Sequence, residues 1–145
     1  MKIQVKKLNE NAKLPFRATD GSAGADLFAC IEQDIVIEAG ERVLVPTGIA
    51  FAIPDKGYGG FVFPRSSVAS KHGVSLSNCV GVIDSDYRGE VKIPIINHSR
   101  TAYTVKNGDR IAQLVIMPVD VSDFVEASDL SDTERGEGGF GSTGI

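Results

Sequence analysis

The stretch DIVIEAGERVLVPTGIAFAIP, residues 34–54, decides the fold class of this chain. It consists of short runs of Ile, Val, Leu and Phe that are broken by turn residues such as EAGE. β-Branched and aromatic residues in runs of this length favour strands, and glycine between them tolerates the positive φ that tight hairpin turns require. The stretch therefore predicts short strands joined by tight turns.

The same pattern continues through most of the chain, and PDKGYGG and KNGD are predicted as further hairpin turns. Short strands with frequent turn signals indicate an all-β sandwich or barrel. One segment favours a helix: PRSSVASKHG, residues 64–73, is predicted to form about two turns that end at Gly73. The further strand-like runs are IQVKKL, GADLFAC, GYGGFVFP, VSLSNCVGVI, EVKIPIIN, YTVKNGDRIAQLVIMPV and DFVEAS.

Composition excludes several classes of protein. With 145 residues the chain fits one domain, and its net charge of -4 argues against a protein that coats a nucleic-acid backbone. It holds no apolar run of membrane-spanning length and no signal-peptide core, so the expected compartment is the cytoplasm. Cys30 and Cys79 form no CxxC pair and are predicted to be free thiols, and two histidines, His72 and His98, do not suggest a zinc site.

The composition changes at Ser128, which divides the chain into a predicted β domain, residues 1–127, and a flexible Gly-rich tail, residues 128–145. The tail reads SDLSDTERGEGGFGSTGI and lacks the lysine of a P-loop. It is either a disordered end or a mobile segment that closes over a polyphosphate. In the second case glycine N–H groups and the hydroxyls of Ser142 and Thr143 would meet the phosphates, with Arg135 adding a cation.

Three polar positions are candidate ligand contacts. Arg65, followed by Ser66 and Ser67, opens the predicted helix, where it either binds an anion or is a solvated residue beside an N-cap. Asp26 is either a turn residue or a ligand. Gln113 is the one polar side chain inside an apolar strand, and it either faces outward or points at a ligand.

The stretch GVIDSDYRGE, residues 81–90, places Asp84 and Asp86 two positions apart. On one extended strand the two carboxylates would share a face and repel, which suggests a dyad with a shared proton. The turn propensity of Ser85 and Asp86 favours a hairpin tip instead. Periodicity then favours Asp84 as the inward carboxylate and Asp86 as the one in water.

Taken in order, five segments closely resemble the signatures of the homotrimeric dUTPases. They are SAGADLFA (22–29), PRSSVAS (64–70), NCVGVIDSDYRGEV (78–91), GDRIAQLVIMPV (108–119) and RGEGGFGSTG (135–144). The resemblance implies a jelly-roll-like β-barrel subunit, a trimer, and active sites built by all three chains. The family reaction converts dUTP and water to dUMP and pyrophosphate with Mg²⁺ on the triphosphate, which keeps uracil out of DNA and supplies dUMP for thymidylate synthesis.

The resemblance assigns the nucleoside to the third segment. Asp84 corresponds to the aspartate that orients the attacking water and contacts the 3′-hydroxyl, and Asp86 to a turn position. Tyr87 matches the tyrosine that packs on the deoxyribose and excludes a ribose. Uracil is read by a hairpin, largely through its backbone, and the hairpin residues implied are Asn78, Gly81, Val82, Ile83 and, on the return strand, Lys92.

The resemblance assigns the phosphates to the other segments. Asp26 matches the aspartate that supports the Mg²⁺ hydration shell through water. Ser67 and Val68 depart from the RSGLA sequence common at this point of the family. The phosphate contacts implied are Arg65, Ser66, Ser67 and Gln113. From the tail, Arg135 is expected to reach the γ-phosphate, and Gly141 and Ser142 to donate hydrogen bonds to the phosphates. Phe140, also in the tail, is expected to cover the uracil ring.

Two other functions stay open from the sequence. A dCTP deaminase, or its bifunctional relative, shares the fold and an RSS-type motif, but deamination needs a glutamate acid/base and the segment 80–84 has none. A non-catalytic trimer that binds nucleotide is the other, although a pure binder has no need of an aspartate that orients water.

Overall fold

The structure, a computed structural model, describes residues 1–139, and all but one of its regular elements are strands. The chain order is β1 Gln4–Lys7, β2 Ala25–Phe28, β3 Ile35–Ile37, β4 Arg42–Pro46, β5 Ile49–Ala52, β6 Tyr58–Phe63, α1 Ser66–His72, β7 Val74–Leu76, β8 Gly81–Ile83, β9 Lys92–Asn97, β10 Tyr103–Val105 and β11 Arg110–Pro118. The predicted all-β class is confirmed.

Four sheets are built from these strands, and every pairing is antiparallel. The larger two have the strand orders β2-β11-β6-β8 and β4-β9-β7. The other two sheets are the two-stranded pairs β1-β5 and β3-β10. No strand pairs with the strand next to it in sequence among the described residues. The connections therefore cross between sheets instead of forming hairpins.

This crossing overturns the prediction of hairpins at EAGE, PDKGYGG and KNGD. The first turn links β3 to β4, the second β5 to β6 and the third β10 to β11, and each time the two strands belong to different sheets. Gly40 and Gly108 have the expected positive φ, 80° and 81°, whereas Gly57 does not and instead donates its N–H to Asp55 Oδ1 at 2.8 Å. Turn chemistry predicts where the chain reverses, but burial of both sheet faces decides which strands pair.

The core lies between the sheets and is aliphatic. Its fully buried side chains are Leu27, Ile37, Val45, Ile49, Ile93, Ile95 and Val105, joined by the polar residues Thr47 and Asn97. Asn97 Nδ2 donates to the carbonyls of Ile37 and Thr101, and Thr47 Oγ1 donates to Val91 O. Both buried polar side chains are thus satisfied, as stability requires.

The helix forms as predicted. Helix α1 ends at Gly73, whose φ of 65° is left-handed and whose N–H reaches back to the last turn. Its N-cap residue, Arg65, makes no side-chain capping bond, which leaves the guanidinium available for other partners. Cys30 and Cys79 are free, as expected.

Beyond Pro118 the described segment, residues 119–139, contains no strand or helix, so the strand expected at DFVEAS does not form. From Val121 onward its large apolar side chains are solvent-exposed in the single chain, and Phe124 is completely exposed, at 102%. An apolar run without a sheet to join has no partner for its backbone groups. Across residues 1–139, no helix has the length and apolar character that crossing a membrane demands.

Candidate active site

A cavity of about 260 Å³ lies between β8, β9 and the loop that joins them. Its floor is apolar, formed by side chains from β6, β7 and β9 such as Val62, Leu76 and Ile93. The structure brings to this cavity seven residues that the sequence predicted for the nucleoside: Asn78, Gly81, Val82, Ile83, Asp84, Tyr87 and Lys92. We refer to it below as the nucleoside cavity.

Strand β8 gives this cavity a backbone edge. It is the outermost strand of the four-stranded sheet and pairs only on one side, with β6, within the described part of the chain. The N–H and C=O groups on its other side are therefore free to bind a planar ligand in the manner of an added strand. Gly81 keeps the strand close to β6, since a Cβ there would lie 3.2 Å from Val62 Cβ.

The turn before β8 is strained. Cys79 has a φ of 62° and is the one non-glycine residue with positive φ among residues 1–139. Its N–H donates to Leu76 O at 3.2 Å, and Val80 N donates to Asn78 O at 2.6 Å. Left-handed backbone at a residue with a Cβ persists only where the surroundings enforce it, and here it sets the approach of Asn78 and β8 to the cavity.

The loop after β8 carries the carboxylates. Tyr87 N donates to Asp84 O at 3.1 Å and closes a turn whose tip is Ser85 and Asp86. Asp84 lines the nucleoside cavity and Asp86 does not. The loop is not a hairpin, however, because β8 and β9 belong to different sheets. Asp84 and Asp86 are both solvent-exposed in the single chain, so burial does not separate them in the way that the sequence predicted.

Tyr87 is fixed by its neighbours in the loop. Its hydroxyl donates to Glu90 O at 3.0 Å, and a Cβ at Gly89 would lie only 2.4 Å from that hydroxyl, so Gly89 leaves room for the ring. Glu90 also lines the cavity, but its carboxylate is engaged. Oε1 accepts from Gly48 N at 2.9 Å, and Oε2 lies 3.6 Å from Lys92 Nζ.

A second cavity, of about 320 Å³, is rich in polar and charged side chains. At its centre Asp26, whose side chain is 13% exposed, accepts from Arg65 Nε at 2.8 Å and from Arg110 Nη1 at 3.2 Å. Gln113 stands directly opposite Asp26 across the β2-β11 pair and donates through Nε2 to Pro64 O at 3.0 Å. We refer to it as the anion cavity, and its remaining lining residues are Ala18, Ser22, Ala23, Gly24 and Ser66.

Arg110 lines the anion cavity although its sequence pattern did not predict it as a site residue. Positions 110 and 113 differ by three, so a regular strand would put Arg110 and Gln113 on opposite faces. The register of β11 against β2 shifts between Arg110 and Ala112, and this irregularity lets both side chains line one cavity. An extra residue in the ladder leaves two adjacent buried positions, Ile111 and Ala112, where alternation expects one.

Ser67 does not line the anion cavity. It lies in an adjoining recess with Lys71, His72 and Tyr103, and its Oγ is 3.5 Å from Arg65 Nη1. Burial, reinforced by the negative charge of Asp109, raises the pKa of Tyr103 above its ordinary value, while Arg65 opposes the shift. The phenol therefore stays neutral at physiological pH.

The side chains present limit how this chain could bind a divalent cation. Residues 1–139 contain no group of three or more His, Cys, Asp or Glu side chains that could enclose a metal ion. Asp26 is a single carboxylate already paired with two arginines, so it fits a contact through water to an ion held by a ligand's own oxygens.

None of the described tail residues, 128–139, lines either cavity in the single chain. Arg135 is exposed and donates through Nε to Gly138 O at 2.9 Å. Phe140, Gly141 and Ser142 lie outside the described residues. Among the described residues, none lines both cavities.

Known proteins of one family are similar to this chain over almost its whole length. The family model described as dUTPase matches residues 10–144. The deoxyuridine 5′-triphosphate nucleotidohydrolase of Desulfitobacterium hafniense strain DCB-2 is 50% identical over 145 residues, covering 100% of this chain and 96% of that protein. The protein of the same name from Hydrogenobaculum sp. is 52% identical, covering 100% and 99%.

Solved structures agree. A mutant dUTPase of Staphylococcus bacteriophage 80alpha with dUpNHpp superposes with a TM-score of 0.89 at 31% identity, covering 99% of both chains. A mutant dUTPase of the S. aureus phage phi11, described with a structural Mg(II) ion, has a TM-score of 0.81 at 28% identity and covers 91% of this chain and 100% of that one.

Proposed function

Because the chain belongs to the dUTPase family, we propose that it hydrolyses dUTP to dUMP and pyrophosphate through attack of water at the α-phosphate. The observation that carries the proposal is the nucleoside cavity, where a free strand edge, Asp84 and Tyr87 meet around an apolar floor. The activity removes a precursor of uracil in DNA and supplies dUMP, and the proposed compartment is the cytoplasm.

Base selection would come from the free edge of β8. Uracil presents O4 as an acceptor and N3–H as a donor, and a fixed backbone pattern can pair with both. Cytosine presents the reverse pattern, which would leave buried backbone groups unpaired at a cost of about 1–3 kcal/mol for each group. Selectivity built on unpaired polar groups is strong, since nothing in the backbone can rotate to accept the wrong base.

Sugar selection would come from Tyr87. The hydrogen bond from its hydroxyl to Glu90 O ties the ring to the loop, so the position of the ring follows that of the loop. A deoxyribose packs against the flat ring, whereas the 2′-hydroxyl of a ribose would need the same space.

Asp84 is proposed as the catalytic residue. A carboxylate at the end of β8 lies where the sugar meets the α-phosphate if the base pairs with that strand. From there it can accept a proton from a water and aim the oxygen at the α-phosphorus, while also accepting a hydrogen bond from the 3′-hydroxyl. Positioning of this kind supplies much of the catalysis in phosphoryl transfer.

The triphosphate would bind in the anion cavity. Arg65 and Arg110 give two guanidinium groups there, Ser66 adds a hydroxyl, and Gln113 lies on the same face. We propose Mg²⁺ as cofactor, held by the phosphates and by water next to Asp26; when bound it lowers the charge repulsion that opposes attack. An acidic chain can bind a polyanion in this way because its cations are local.

We propose that the sites are completed in a homotrimer. Within residues 1–139 of one chain, no residue lines both the nucleoside cavity and the anion cavity, although one dUTP must contact both. Residues 119–139 carry apolar side chains that are exposed in one chain and that a neighbouring subunit could cover: Val121, Phe124, Val125 and Leu130. In this arrangement Arg135, Phe140, Gly141 and Ser142 would act on the site of another chain, and Ser67 would contact the phosphates from the adjoining recess.

One experiment tests substrate and bond together. Pyrophosphate release is measured with dUTP, dTTP, dCTP and UTP, each with Mg²⁺. We expect release from dUTP alone at an appreciable rate. Equal release from UTP would contradict the role of Tyr87, and absence of release from dUTP would overturn the proposed function.

The deaminase alternative is tested in parallel by ammonia release from dCTP. Glu90 is the one glutamate among the residues that line the nucleoside cavity, and its carboxylate is held by the Gly48 N–H and faces Lys92. It is thus poorly placed to shuttle protons at a pyrimidine. Ammonia from dCTP would nonetheless replace the dUTPase proposal with a deaminase.

A further inference from the structure

Arg88 follows directly after the nucleoside-binding loop residues but has no place in either cavity. Its side chain is exposed and lines neither of them. It forms no ion pair within residues 1–139. Instead Nη1 donates to two carbonyl oxygens of the preceding turn, Ser85 O at 2.7 Å and Tyr87 O at 2.9 Å. Within residues 1–139, both side-chain hydrogen bonds of Arg88 are therefore made with the segment that carries Asp84 and Tyr87.

The base of this loop is anchored without Arg88. Val91 N donates to Ile49 O at 2.9 Å, and Val91 O accepts from the buried Thr47 hydroxyl. The Glu90 carboxylate accepts from Gly48 N, and the Glu90 carbonyl accepts from the Tyr87 hydroxyl. These bonds fix where the loop leaves the core, and they do not reach the tip.

The tip has fewer constraints. Apart from the contacts of Arg88, one hydrogen bond closes it in the described structure, from Tyr87 N to Asp84 O. Aspartate and serine side chains compete for neighbouring backbone groups, so a D-S-D tip has several accessible turn conformations. A guanidinium that binds two carbonyls of the same turn selects one of them, and a charged donor makes both bonds stronger than neutral ones.

We propose that Arg88 is a positioning residue: by holding Ser85 O and Tyr87 O it fixes the orientation of Asp84 toward the water and of Tyr87 toward the sugar. The inference rests on the proposed function, because it assigns a task to Arg88 within that reaction. It acts through the turn and not through contact with the nucleotide. Loss of Arg88 therefore reduces catalysis and sugar selection more than it reduces nucleotide binding.

The test compares Arg88→Ala, Arg88→Lys and the control Arg100→Ala, since Arg100 is an exposed arginine that lines neither cavity. For Arg88→Ala we expect kcat for dUTP to fall roughly 10- to 100-fold, the size of loss that small misplacement of a reacting group produces, with KM changed much less. In the same variant we expect the ratio of kcat/KM for dUTP to kcat/KM for UTP to fall. Arg88→Lys keeps a cationic donor and retains an intermediate kcat, and Arg100→Ala behaves as the wild type.

Chemical rescue separates positioning from a purely structural role. Guanidinium chloride at millimolar concentration, below the denaturing range, is expected to restore part of kcat in Arg88→Ala and to leave the wild type and Arg100→Ala unchanged. Thermal denaturation and solution mass are measured for each variant. If Arg88→Ala does not fold, Arg88→Lys decides through its own kcat and its dUTP-to-UTP ratio.

Wild-type kcat and sugar preference in Arg88→Ala, or in Arg88→Lys where the alanine variant does not fold, would overturn the inference while leaving the proposed function intact. A fall in kcat without rescue and without any change in the dUTP-to-UTP ratio would also overturn it. An inactive wild type overturns the proposed function and this inference together. The two failures are thus told apart by the first measurement.

Discussion

Asp84 and Asp86 lie in one turn, and only Asp84 lines the nucleoside cavity. Replacing Asp84 by Asn keeps the size and shape of the side chain but removes the carboxylate that we propose as the base that orients water. We expect Asp84→Asn to bind dUTP at near wild-type affinity while kcat falls roughly a thousandfold or more, as when other catalytic groups are removed. Calorimetric titration with a non-hydrolysable analogue and a pyrophosphate assay measure the two effects.

Asp86→Asn is the matched control for that experiment. It makes the same chemical change two positions away, on the side of the turn that does not face the cavity. We expect wild-type kcat. If Asp86→Asn were the inactive variant and Asp84→Asn the active one, the assignment of the two carboxylates would have to be exchanged.

Cys79 offers a test of backbone geometry at a single residue. With φ at 62°, this position disfavours β-branched side chains in particular. We expect Cys79→Val to destabilise the turn by about 1–2 kcal/mol and to raise KM for dUTP, because β8 loses its approach to the base. Cys79→Gly, which accepts the same φ freely, should stay near wild type. Equal effects of Val and Gly would show that the thiol and not the backbone matters.

At the scale of elements, the sequence predicts strands better than it predicts sheets. The hydrophobic runs in residues 34–54 do become β3, β4 and β5, and α1 ends where its glycine indicates. Yet these three strands pair with β10, β9 and β1, all distant in sequence. Local turn signals carry no information about such partners, since pairing is decided by which faces are buried together.

The residues of the candidate site also differ in how far the sequence predicts them. Most residues proposed to contact the nucleoside lie in one continuous segment, so a motif identifies them together from the sequence alone. The anion cavity combines β2, the start of α1 and β11, and Arg110 joins it through an irregularity that strict alternation excludes. A side chain that depends on a local shift in register is not visible in a hydrophobic pattern.

The position of Arg110 in the anion cavity leads to a prediction for strand β11. Because its guanidinium lies in the anion cavity beside Asp26, we expect Arg110→Ala to raise KM for dUTP by about 10- to 100-fold, the range for a lost hydrogen bond to a charged group. Binding of deoxyuridine, which has no phosphate, should be unchanged. Arg42→Ala, on an exposed position of β4, is the control. Weaker binding of deoxyuridine in Arg110→Ala would indicate general damage to the fold.

We expect the tail and the folded core to be separable parts of the molecule. The last strand of residues 1–139 ends at Pro118, and in that range Arg135 is hydrogen-bonded only to the nearby Gly138: Nε donates to Gly138 O, and Arg135 O accepts from Gly138 N. We expect deletion of residues 135–145 to leave folding and assembly intact while hydrolysis slows by roughly 100-fold or more, because donors to the phosphates are lost. Light scattering and the pyrophosphate assay measure both. Loss of assembly would instead assign the tail a structural role.

The separation of the two cavities in one chain leads to a test of shared sites. If the nucleoside cavity of one subunit works with the anion cavity of another, Asp84→Asn and Arg65→Ala damage complementary halves. Each variant alone should be nearly inactive, whereas subunits unfolded together and refolded as a mixture should regain activity, since some sites then combine two intact halves. A mixture of Asp84→Asn with Tyr87→Ala, both in the nucleoside cavity, should regain none. Activity that never returns in the first mixture, despite assembly confirmed by solution mass, would mean that each chain binds its nucleotide alone.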